Sequence, residues 1–385
     1  MKRSGGILTS LMLAMAASGC NLAAPVYIAQ NPGNEPMLVH VFNGTKLGFY
    51  TETGGYGFGT QAASIFTLAT TSIGTNQQMP VDSISGRFFL GTSICAGGCD
   101  ELIYLDSYNG FRFGSTVTSS EYNLSPNGVS PGAALNQLLG TLYVSDSAND
   151  RVLIMNENNF GYQTGFSQPT LLSQAVAPTY LGSDNTLDVV VVTDPSVGAA
   201  FMMDGVKGDE LSTSPFPLTL VGGGCAQASE VGFVAVSSIN HLAYVLCAGS
   251  VTYLTTSSTL GTYSEGSLVA SNFSLSNITT ATDIAVNSLN NSILVSGSHY
   301  VDALDAESGA LLTSMDLTKG NCGLSTMDLE SLTYDSVDNA VFVADTQNNR
   351  IYELDAASLS FKNGSCSTSN FQTPDVTSPK RISFY

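Results

Sequence analysis

Positive charge is scarce in this sequence: 12 Lys and Arg stand against 31 Asp and Glu, for a net charge of −19 at pH 7. A basic footprint for nucleic acid is therefore missing, and contact with anionic lipid head groups is disfavoured. Long apolar runs are missing too. No stretch reaches eighteen consecutive apolar residues, the length a membrane-spanning helix needs. Helical periodicity is nearly absent. Histidine occurs three times and tryptophan not at all. The nucleophile elbow Gly-x-Ser-x-Gly is absent, which removes support for serine hydrolase chemistry. The glycine run Val221–Cys225 neither follows a clear strand nor opens a helix, so it does not read as a phosphate cradle.

What the sequence does have begins at its N-terminus. Lys2 and Arg3 precede an uncharged, largely apolar run from Ile7 to Ala17, followed by Ser18, Gly19 and Cys20. That pattern reads as an export signal rather than a span. It resembles the bacterial lipobox, with Ala17 where Leu is usual. The resemblance implies cleavage before Cys20 and lipidation of Cys20. Asn21 in the next position leans toward the outer membrane. Loss of Lys2 and Arg3 would leave 10 basic against 31 acidic residues, or about −21.

Six further cysteines follow: Cys95, Cys99, Cys225, Cys247, Cys322 and Cys366. An even number in an exported chain reads as disulfides. Six cysteines allow fifteen pairings; the expectation is pairing of neighbours, Cys95–Cys99, Cys225–Cys247 and Cys322–Cys366. Cys95 and Cys99 have metal binding as their alternative, although a zinc site would need two more ligands and only Asp100 and Glu101 lie close in sequence.

Two segments 199 positions apart are nearly the same: Leu142–Asn156 (LYVSDSANDRVLIMN) and Val341–Asp355 (VFVADTQNNRIYELD). Between and before them lie other short apolar runs bounded by Gly, Asn, Asp or Ser, the signature of buried strands. Taking Asp345 as a ruler, the equivalent positions are Thr92, Asp146, Asp194, Cys247 and Gly297, at steps of 54, 48, 53, 50 and 48. A period near fifty in an all-β chain predicts a β-propeller of four-stranded antiparallel blades. Stacking blades buries both faces of each sheet and protects the edges.

The last repeat shows the expected parts. Strands are predicted at 331–337, 340–346 and 350–355, with a fourth at 359–363. Near the start, 36–54 reads as a hairpin turning at Asn43-Gly44, with no strand before it. At the end, 381–385 is an alternating strand without a blade. Seven blades, closed by that terminal strand, are expected; six blades plus an N-terminal arm are the runner-up. The domain reading is 1–20 signal, 21–36 tether and 37–385 propeller.

The repeat resembles the NHL family, whose usual form reads like LYVADTGNNRI. The likeness is good over 130–165 and 326–363 and only outlined elsewhere. Its residues read as blade-building. Asp146 and Asp345 end a strand, where a carboxylate accepts N–H groups of the next turn. Asp194 is the counterpart in a blade that keeps only the acid. Asn149, and Asn348 or Asn349, tolerate left-handed backbone. Arg151 and Arg350 pair with a nearby carboxylate.

His40, His241 and His299 occupy different places in their repeats, which argues against convergence on one metal. Asp146 through Asp150 does not meet the calcium-loop pattern. No cofactor is predicted, with Ca or Zn the alternatives. The missing tryptophan argues against a quinoprotein dehydrogenase. Two function classes follow. One is a membrane-anchored lipoprotein whose monomeric ring binds an envelope protein as a scaffold, without catalysis. The other is a lyase- or lactonase-type propeller enzyme with a metal in the central channel.

Overall fold

The computed structural model describes residues 38–44, 46–51, 65–67, 78–82, 86–93, 100–106, 117–118, 132–158, 170–171, 177–211, 216–218, 225–256, 268–320 and 322–384. Cys20, the tether, and the Cys95–Cys99 pairing lie outside them. Seven four-stranded antiparallel sheets form among the described residues. The chain is a β-propeller with seven blades.

Blade 1 is built from both ends of the chain. Its innermost strand is Arg381–Phe384, followed outward by Leu38–Phe42, Lys46–Thr51 and Ile65–Thr67. The other blades run inside to outside in sequence order. Blade 2 is Val81–Asp82, Arg87–Ser93, Asp100–Asp106, Val117–Thr118. Blade 3 is Ala133–Asn136, Thr141–Asp146, Arg151–Asn156, Thr170–Leu171. Blade 4 is Tyr180–Asp184, Val189–Asp194, Ala199–Asp204, Phe216–Pro217. Blade 5 is Val234–Ser237, Leu242–Cys247, Ser250–Thr255, Leu268–Ser274. Blade 6 is Asp283–Asn287, Ser292–Gly297, Tyr300–Asp305, Leu311–Asp316. Blade 7 is Leu329–Asp335, Ala340–Asp345, Arg350–Asp355, Asn370–Gln372.

The second strands explain why the ruler worked. Thr141–Asp146, Val189–Asp194, Ser292–Gly297 and Ala340–Asp345 are buried at every position. A strand covered on both faces reads as a continuous apolar run rather than an alternation. The closure is a packed one. Val39, Val41 and Tyr50 of blade 1 share a core with Ala340, Phe342 and Ile351 of blade 7. The terminal strand pairs Ile382 with Val41 and Ser383 with His40.

Consecutive strands reverse, so the turns fall on two faces. Inner turns (first to second strand) and outer turns (third to fourth) share the lower face. Middle turns (second to third) lie on the upper face. Acids explain much of the turn chemistry. Asp184 and Asp335 end innermost strands, and each accepts backbone N–H groups of its inner turn. Asp204, Asp305 and Asp355 end third strands and hold the outer turns in the same way. Part of the acid excess is thus a turn-forming inventory.

Three details differ from the sequence reading. Residues 359–363 are not the fourth strand of the last repeat: Leu359 has a left-handed φ of 54°, and Phe361 makes only an isolated bridge to Leu354. The Cys366–Thr368 turn intervenes, and the fourth strand forms later, at Asn370–Gln372. In blade 3 the left-handed residue is Asp150, φ 55°, while Asn149 ends a 3-10 turn. In blade 7 it is Asn349, φ 53°. Arg350 donates to the Asn370 side chain at 3.3 Å rather than pairing with a carboxylate.

Two disulfides join neighbouring cysteines in sequence, Cys225–Cys247 and Cys322–Cys366, with Cα separations of 5.0 and 5.3 Å. Cys247 is also one of the ruler positions lacking the Asp. Thr92 and Gly297 are the others, and the need at Gly297 is steric: a Cβ there would stand 2.3 Å from the Thr280 carbonyl oxygen.

Candidate functional site: the axial channel

The innermost strands surround the axis, and a cavity of about 260 Å³ lies between them. Its lining comes from all seven blades and is mostly aliphatic, with Gln78, Asp283, Ser331 and Arg381 as the polar members. Gln78 spans blades by donating to the Leu181 carbonyl at 2.7 Å and accepting from its N–H at 2.8 Å. A second cavity, about 300 Å³, opens at the upper end, where Tyr180, Glu230, Phe233, Glu330 and Arg381 meet.

Arg381 joins the two cavities. It is the first residue of the closing strand and is 5% exposed. Its guanidinium reaches past blade 7 to blades 6 and 5. It donates to the Glu330 carbonyl at 2.9 Å, approaches Asp283 Oδ2 at 3.5 Å, and lies 4.1 Å over the centre of the Phe233 ring. Asp283 accepts further from Ser331 Oγ at 2.7 Å and from the N–H groups of Leu332 and Ile284 at 3.1 and 2.9 Å. Ser331 Oγ in turn accepts the Ile382 N–H at 3.3 Å. Burial pushes the Asp283 carboxyl above the ordinary carboxylate range, opposed by Arg381 and by these hydrogen bonds. Arg381 and Asp283 therefore satisfy one another and, with Ser331, pin the closing strand to blades 6 and 7.

The three histidines stand in three blades. His40 is buried mid-strand in blade 1, with Nδ1 3.2 Å from Ser383 Oγ and its ring edge-on to Phe49. His241 sits in the inner turn of blade 5, 2.9 Å from Asp184 Oδ2. His299 lies in the middle turn of blade 6 against the Tyr300 ring. None lines either cavity. Among the described residues, no three His, Cys, Asp or Glu side chains gather as metal ligands.

The repeat-motif residues lie at the middle turns. Asp345 accepts from the N–H groups of Gln347 and Asn348, from the Asn348 side chain and from the Tyr352 hydroxyl. Asp194 accepts from Ser196 N–H and from Ala177 N–H, tying its turn to the segment that enters the blade. Asp146 accepts from Asn149 Nδ2 and, at 2.7 Å, from Arg151 Nε. All three acids are buried.

The axial residues Arg381, Asp283, Ser331 and Phe233 escaped the sequence reading, which was keyed to second strands. The available signal was register. Tyr180, Val234, Asp283 and Arg381 each open an innermost strand, so aligning those strands brings Asp283 and Arg381 to one level of the axis.

No family profile and no curated protein matches the sequence. Solved structures do match in shape. A Citrobacter koseri AztD structure aligns with a TM-score of 0.51 at 11% identity, covering 91% of this chain and 97% of that one. A Bacteroides fragilis protein named as a candidate 6-phosphogluconolactonase aligns with a TM-score of 0.55 at 10% identity, covering 92% and 99%. At such identities the likeness shows the fold, and the chain is to that extent a β-propeller like both.

Proposed function

We propose that the protein is a cell-envelope lipoprotein, anchored through Cys20 in the outer membrane, whose NHL-like propeller works as a non-catalytic protein-binding or scaffold module. The observation that carries this reading is the use to which the axis is put. Its buried ion pair, Arg381 with Asp283, is spent on hydrogen bonds within the ring and on the closing strand. A reaction centre needs a base or nucleophile with an unspent proton position facing a substrate. Here Arg381, Asp283, Ser331 and Gln78 are engaged within the ring, which leaves the two turn faces to do the binding.

The test is crosslinking of the tagged full chain in intact cells, with mass spectrometry of what is captured, beside fractionation of a Cys20→Ser variant. One reproducible envelope-protein partner, and release of Cys20→Ser from the membrane fraction, are expected. Recovery of the ring without a protein partner, together with a stoichiometric metal or lactone turnover by the purified protein, would replace the binding reading with the enzymatic one.

A further inference from the structure

We infer that the lower face, around the foot of the axial channel, is a docking surface for a protein presenting an apolar centre rimmed by Lys and Arg. The inference rests on the binding reading above and names its face and partner chemistry. Four inner turns each place an aliphatic side chain at the tip: Leu138 in blade 3, Ile239 in blade 5, Leu289 in blade 6 and Val337 in blade 7. They are 71, 68, 61 and 74% exposed. Nothing in turn geometry asks for an aliphatic residue there, and blade 4 manages with Asn185 and Thr186 in the equivalent turn. Of the large apolar side chains exposed among the described residues, only Val197 sits in a middle turn, on the upper face. The rest belong to inner or outer turns or, for Leu311 and Leu312, to the start of a fourth strand. Single exposed apolar residues are ordinary; a set confined to one face marks an interaction site.

The tips are held in a rigid frame. Neighbouring inner turns are tied by side-chain hydrogen bonds: Asn136 to Asp188, Thr186 to the Ser238 carbonyl, Asn240 to Asn291, and Asn290 to Asn339. The outer turn of blade 7 joins through Lys362, which donates to the Asp338 carbonyl. Preorganisation of this kind lowers the ordering cost of binding.

Charge chooses the occupant. The ionic side chains of these inner and outer turns include Asp188, Asp209, Glu307 and Asp338 against Lys207 and Lys362. Acids around an apolar ring repel an anionic lipid surface and would be dehydrated by any membrane. They complement a basic rim on a protein, the usual division between an apolar interface core and a charged edge.

The experiment places a photo-crosslinking residue at Leu289, or at Val197 on the opposite face, of the full chain in cells, with and without Ile239→Asn plus Val337→Asn. The turn tips are solvent-exposed, so the double variant keeps the fold, checked by its near-UV dichroism. Leu289 is expected to yield adducts with one protein, at a segment where apolar residues are flanked by Lys or Arg. The yield should fall about tenfold in the double variant, and Val197 should give no adduct with that protein. Equal adducts from Val197, an unchanged yield in the double variant, or an acidic crosslinked segment would overturn the inference while leaving the binding reading intact. Lipid adducts at Leu289, with flotation of purified Cys20→Ser protein on phosphatidylcholine vesicles that the double variant loses, would assign the face to the membrane instead. Protein adducts at neither position would sink the binding reading itself.

Discussion

Replacing Arg381 with Met tests the axial latch most directly. The side chain is nearly isosteric with the aliphatic part of Arg, so packing is kept and the guanidinium is lost. Three contacts disappear: the hydrogen bond to the Glu330 carbonyl, the approach to Asp283, and the stacking over Phe233. A cation over an aromatic ring contributes up to about 2 kcal/mol when desolvated. Stranding a buried charge costs about 3–5 kcal/mol. The Asp283 contact is long, at 3.5 Å, and the carboxylate keeps three other hydrogen bonds, so the low end applies. Urea unfolding at pH 7 with disulfides intact should show a loss of about 3 kcal/mol. The loss should shrink on acidification. Without Arg381, the already raised Asp283 pKa rises further, so the folded state binds a proton more readily than the unfolded chain. Stability then climbs as pH falls from 7 toward the unfolded carboxylate value near about 4. Adding Asp283→Asn should recover part of the loss and flatten the pH dependence. A single variant that costs under about 1 kcal/mol, or one whose cost is the same at pH 5 and 7, would refute the latch.

Other consequences are as specific. Burial, with Asp82 beside it, pushes Glu157 up to about 7, against a partial offset from Arg87. Its folded pKa lies above its unfolded one, so the protein should lose stability as pH rises from about 4.5 to 7 and level off beyond; Glu157→Gln should abolish that slope in denaturation curves across the range. The Tyr143 hydroxyl crosses from blade 3 to the Gly205 carbonyl of blade 4 at 3.0 Å, fully buried. Tyr143→Phe should therefore cost about 1–2 kcal/mol, read by urea midpoint, while Tyr300→Phe, which is not fully buried, serves as the neutral control. Opening Cys322–Cys366, which closes a 44-residue separation, should cost about 4 kcal/mol in the chain-entropy account, and Cys225–Cys247, with 22, about 3 kcal/mol; the paired Cys→Ser variants compared by urea unfolding would test the order.

The fold was written in the sequence where burial is two-sided. The second strands are covered on both faces by neighbouring blades, so they read as apolar runs, and the period follows from the spacing of their ends at Thr92, Asp146, Asp194, Cys247, Gly297 and Asp345. The hairpin around Asn43-Gly44 without a preceding strand, and Arg381–Phe384 without a blade, are two halves of one sheet, which explains why each looked incomplete. Local detail was less legible. Whether Asn149 or Asp150 takes the left-handed position depends on a single 3-10 turn, and the fourth strand of blade 7 moved to Asn370–Gln372 because a disulfide-bearing turn precedes it.

Nothing local marks Arg381, Asp283, Ser331 and Phe233 as partners. They come from blades 1, 6, 7 and 5 and meet only because ring closure brings the entrances of the innermost strands to one level of the axis. The aliphatic tips Leu138, Ile239, Leu289 and Val337 are likewise ordinary in sequence. The periodic chain by itself determined that blades must form and stack, since one blade cannot bury both of its faces. Which charges meet at the axis, and which apolar residues are left facing solvent together, was decided by the tertiary ring.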